Sequence, residues 1–85
     1  MPMTLPTLRL RAPQDLGPRI RAERERQGRD LQTVAGAAQT NRITLYRIES
    51  GRTPYLSVGT LVAIADALQV STDYLLGRTE MPHVL

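Results

Sequence analysis

The 85-residue sequence predicts an all-α fold of five short helices. Apolar residues recur at three- and four-residue spacings in separate segments, the signature of helices with one buried stripe. Asp15, Asp30, Asn41, Ser57 and Ser71 stand where a helix start needs a cap, and Gly28, Gly51 and Gly77 stand where a helix commonly stops.

Residues 1–14 form an N-terminal arm broken by Pro2, Pro6 and Pro13, which rule out one continuous helix. Leu8 and Leu10 alternate with Arg9 and Arg11, so the arm reads as a flexible segment or as a strand formed against a partner. The domain proper spans residues 15–77. Asp15 caps a first helix running to about Gln27, with Pro18 in its opening turn and Leu16 and Ile20 facing inward. The charged run from Arg19 to Arg26 reads as a solvated face; Glu23 and Glu25 are read as surface acids, and Arg26 and Arg29 as exposed. Asp30 caps a second helix, Leu31 to about Ala38, whose inner positions are Leu31, Val34, Ala35 and Ala38. The connection Ala38-Gln39-Thr40 is so short that the next helix must cross sharply, which is a helix-turn-helix spacing.

The third helix, residues 42–50, is capped by Asn41 and stopped by Gly51. Leu45 and Ile48 share its inner side, while Arg42, Ile43, Tyr46 and Arg47 lie largely on the other. Residues 52–57 are read as a loop. Ser57 then caps a fourth helix with the stripe Leu61, Ile64, Ala65 and Leu68, and Ser71 caps a fifth ending at Leu76, with Asp73 in its first turn. Residues 78–85 form a C-terminal tail.

Composition narrows the chemistry. The chain has no cysteine, so neither a disulfide scaffold nor a thiolate metal site is expected. His83 is the sole histidine; no metal-ligand cluster, Gly-rich phosphate loop or nucleophile with a histidine base is present, so neither a cofactor nor an enzymatic activity is expected. No apolar run approaches a membrane span, and the start lacks a signal-peptide pattern, so the expectation is a cytoplasmic protein without a membrane partner. The formal charge of +3 comes from 11 arginines, without lysine, against 8 acids. Arg42, Arg47 and Arg52 gather around the third helix with Glu49 as their one nearby acid.

With these signals in this order, the chain resembles the lambda repressor/Cro-type helix-turn-helix domains of the xenobiotic-response-element class over residues 16–78. The resemblance rests on Ile20-Arg21, Arg24 ahead of Gly28, Val34-Ala35, Arg42 through Glu49-Ser50-Gly51, Leu61 through Leu68, and Val70 through Gly77. It implies that Arg42, Ile43, Thr44, Tyr46 and Arg47 face bases or flanking phosphates of double-stranded DNA in the major groove, with Asn41 and Arg52 completing the DNA-binding set. It also implies that Glu49 pairs with Arg24 to link the first and third helices. The pattern departs at Leu31, where the family usually has a glutamine that braces the first base-reading residue, at Gln39, where glycine is common, and in a loop one residue longer after Gly51.

The function expected from this resemblance is a sequence-specific transcriptional regulator, a repressor binding a palindromic operator as a homodimer. The dimer interface is expected in the region of the fourth and fifth helices near Tyr74 and Leu75, or in the terminal arms, with exchange of residues 7–11 as a strand. An alternative reading is an antitoxin that binds a toxin protein and autoregulates its operon. A third is an adaptor that uses the same fold to bridge proteins.

Overall fold

The structure, a computed structural model, describes residues 8–83; the N-terminal part of the arm and the last two residues of the tail lie outside the described residues. Five helices follow one another, α1 Leu16–Arg26, α2 Leu31–Ala37, α3 Arg42–Glu49, α4 Val58–Leu68 and α5 Thr72–Leu75. Two three-residue strands, β1 Arg9–Arg11 and β2 Tyr55–Ser57, pair antiparallel with Leu10 opposite Leu56. The strand read in the arm therefore exists, but it pairs within its own chain, with the segment read as a loop. The pairing is extended by Ala12 N–H to Pro54 O at 2.8 Å and Val58 N–H to Leu8 O at 2.9 Å.

Local chemistry accounts for the helix boundaries. The side chains of Asp30, Asn41, Ser57 and Ser71 accept the backbone N–H of Thr33, Thr44, Thr60 and Tyr74, so four helices begin on a satisfied cap. Asp15 is the exception. Its carboxylate makes no capping bond and instead accepts Arg19 Nε at 3.1 Å, because an opposite charge one turn along competes for the same oxygen. The C-termini share one device. Gly28, Gln39, Gly51, Gln69 and Gly77 all have positive φ, and after each of them an amide reaches back five residues: Arg29 to Arg24 O, Thr40 to Ala35 O, Arg52 to Arg47 O, Val70 to Ala65 O and Arg78 to Asp73 O. That is the bond of a Schellman ending, which satisfies a carbonyl the helix itself leaves free.

The core gathers Leu16 and Ile20 of α1, Val34 and Ala35 of α2, Leu45 and Ile48 of α3, Leu61, Ile64 and Leu68 of α4, and Leu75 of α5, all buried. Leu31 is only partly buried, at the edge of this cluster. Leu75 is fully buried, so it belongs to the core and offers nothing to a dimer interface; Tyr74 is partly buried against the same core. Two acids read as surface groups divide. Glu25 is exposed, whereas Glu23 is 3% exposed and accepts bonds from Arg26, Gln27 Nε2 at 2.8 Å and Tyr74 Oη at 3.3 Å. Arg26 is exposed as expected, but Arg29 is half-buried and donates to Ala67 O, while Gln27 Nε2 donates to Leu68 O at 2.8 Å. These two side chains satisfy carbonyls at the end of α4, tying it to α1.

Gly17 sets how closely α1 approaches α3. A Cβ at this position would lie 2.5 Å from the backbone oxygens of both Ile48 and Glu49. Only glycine admits this contact, which brings the first turn of α1 against the last carbonyls of α3.

Candidate nucleic-acid interface

Helix α3 is held from below and from both ends. Leu45 and Ile48 lock its inner side into the core at 0% and 4% exposure. Asn41 closes its first turn through Thr44 N–H at 2.8 Å, which commits the Asn41 carbonyl oxygen to the cap. At the other end Glu49 accepts two parallel bonds from Arg24, Nε to Oε2 at 2.8 Å and Nη2 to Oε1 at 3.0 Å. The remaining Arg24 nitrogen, Nη1, donates to Arg29 O at 2.9 Å. Side-chain exposures of 11% for Arg24 and 4% for Glu49 make this a buried, bidentate pair between α1 and α3. The Glu49 carboxylate is the foremost cause holding the Arg24 guanidinium charged to above the ordinary arginine range.

The outer side of α3 is the reverse. Ile43 is 63% and Tyr46 49% exposed, Arg42 and Arg47 are exposed, and Thr44 is half-buried. Arg52, just past the Gly51 ending, is exposed as well. Among the described residues the salt bridges engage Arg19, Arg21, Arg24, Arg26 and Arg78. Arg42, Arg47 and Arg52 enter none of them, nor do Arg9 and Arg11 of β1. The ion-paired acids thus lie along α1, at the α1–α3 contact and on α5, and none of them is paired with the arginines of α3, of the turn after it or of the strand.

The structure brings Arg42, Ile43, Tyr46 and Arg47 onto one solvent-facing helix side, with Arg52 following the helix end. Leu31 was read from the sequence only as an inner residue and as a departure from a family pattern. It lines a notch of about 250 Å³ together with Arg42, Ile43 and Tyr46. Its place at the first position of α2, three residues before the buried Val34, was the available signal: a residue at the edge of an apolar stripe faces the neighbouring helix. Among the described residues no group of three or more His, Cys, Asp or Glu is arranged to hold a metal, and no helix is long and apolar enough to cross a membrane.

Comparison with known proteins agrees with this architecture. The profile of the family described as "Helix-turn-helix domain" matches residues 15–76. Among solved structures, the chain is similar to the P22 c2 repressor in a crystal structure with a synthetic operator, with a TM-score of 0.66 and 28% sequence identity, over 71% of this chain and 89% of that one. No curated protein sequence matches the chain.

Proposed function

The chain belongs to the helix-turn-helix domain family, and from that premise we propose that it is a DNA-binding transcriptional regulator, a repressor that reads a palindromic operator as a homodimer. The observation that supports this reading is the exposed side of α3, where Arg42 and Arg47, in no salt bridge among the described residues, stand beside Ile43 and Tyr46. Such a side presents forked donors and apolar groups together, which suits base edges in a major groove. Arg42, in the first turn, reaches guanine O6 and N7; Ile43 packs on an apolar base edge; Arg47, Thr44, Tyr46 and Arg52 bind base edges or phosphates. Asn41 keeps its side-chain N–H group for a phosphate while its oxygen caps the helix. The similarity to the P22 c2 repressor, whose structure contains a synthetic operator, supports the same reading.

Dimerisation follows from information content. One helix reads only a few base pairs, so a useful operator needs two half-sites about one helical turn apart. Selection of bound sites from random duplex DNA tests the proposal, repeated with Arg42→Ala. A two-fold symmetric site is expected, and the variant is expected to lose about 1–3 kcal/mol of discrimination at one position per half-site. A uniform weakening at all positions would assign Arg42 to phosphate, and recovery of no preferred site would refute the proposal.

A further inference from the structure

We infer that Leu31, Ile43 and Tyr46 form a receptor for the C5-methyl group of an operator thymine, with Leu31 the residue that makes the position selective; this rests on the DNA-binding reading above. The three side chains line one notch with Arg42 at its rim. Leu31 opens α2 and Arg42 opens α3, so the notch sits where the first turns of the two helices meet. Leu31 is packed against the core on one side, which fixes it, and is left partly open on the other. Ile43 at 63% and Tyr46 at 49% exposure leave apolar surface in water beside Arg42, which enters no salt bridge among the described residues.

The chemistry of the groove selects the occupant. A leucine side chain has no hydrogen-bonding group, so it can neither bind a phosphate nor brace a neighbouring side chain through a hydrogen bond. Among the base edges of the major groove, the thymine methyl is the apolar feature; the rest are donors and acceptors. An apolar notch rimmed by an arginine fork therefore fits a thymine next to the guanine that Arg42 reads.

Uracil for thymine, one position at a time in the selected duplex, removes each methyl without touching the Watson–Crick edge. One substitution per half-site, beside the position that Arg42→Ala relaxes, is expected to weaken binding about fourfold, equivalent to about 0.8 kcal/mol for one buried carbon. Leu31→Gln is expected to bind the thymine and uracil duplexes equally, whereas Leu31→Met keeps the difference; thermal melts of both variants establish that they fold. The uracil scan on the unaltered protein stands whether or not the variants do. Binding indifferent to every uracil, or a thymine preference undiminished in Leu31→Gln, overturns the inference while leaving DNA binding intact. Tighter binding to 5-methylcytosine duplexes with no uracil effect overturns the thymine assignment. Absence of any selected site overturns both this inference and the reading it rests on.

Discussion

Arg24 and Glu49 differ from the other ion pairs in where they sit rather than in what they are. Arg19 and Asp15 face each other at 3.1 Å with 39% and 62% side-chain exposure, where water screens the attraction and the net gain is on the order of 0–1 kcal/mol. At 11% and 4% exposure the Arg24–Glu49 pair has been taken out of water, and removing one member leaves the other charge desolvated without compensation. Glu49→Ala is therefore expected to lower stability by about 3 kcal/mol, at the lower end of the range for broken buried pairs because Arg24 keeps its bond to Arg29 O. Urea denaturation measures the loss, and an unchanged midpoint would refute this account. Replacing both residues by methionine is expected to recover most of the stability, since two apolar side chains leave no charge behind. This pair was legible only through a resemblance to a family; residue spacing alone does not join positions 24 and 49. Glu23 was misread for a related reason. It lies in a run of alternating charge that looks solvated, and one of its partners is Tyr74 of α5, far along the chain.

At the scale of helices, most boundaries were legible because caps and stops act over three to five residues. Four of five N-caps and the three glycine endings stand where the sequence places them. The two glutamine endings are costlier. Gln39 and Gln69 both hold φ at 58°, a conformation that crowds a Cβ against the following carbonyl at about 1–2 kcal/mol. Glycine removes that crowding but enlarges the freedom of the unfolded chain, so the two effects partly cancel. Gln39→Gly and Gln69→Gly are each expected to stabilise the domain by about 0.5–1 kcal/mol, read as a rise in Tm of roughly 2–8 °C. A fall in Tm for either variant would show that the glutamine side chain contributes more than its backbone costs. Nothing in the sequence distinguishes Gln69 as an ending, since no glycine stands there.

For the whole molecule, acid stability follows from where its carboxylates are held. Glu23 lies below the usual 4.5, chiefly because Arg26 hydrogen-bonds its carboxylate, while burial opposes. Asp30 lies below the usual 3.8 through the Thr33 amide, and Asp15 through Arg19. In each case the unfolded chain takes up the proton first, so the stabilisation is complete above the unfolded values and is lost as pH falls through the folded ones. Tm is expected to stay level near neutrality and to fall as the pH drops below about 5, less steeply in Glu23→Gln. An identical pH profile in that variant would remove Glu23 from the explanation. The in-chain pairing of the arm was not legible, because β1 and β2 meet across three intervening helices and an isolated alternation does not name its partner. That pairing has a kinetic consequence. A two-stranded sheet is marginal by itself, yet this one closes over an apolar seam of Leu10, Leu16, Leu56, Leu61 and Leu76. The strand pair can detach while the helices remain folded, as a latch that opens below the free energy of global unfolding. Native-state amide exchange is expected to register this as earlier deuterium uptake at Ala12 and Val58, whose N–H groups bond across the pair, than at the buried turns of α3 and α4. Each opening would transiently bare the leucine seam to solvent.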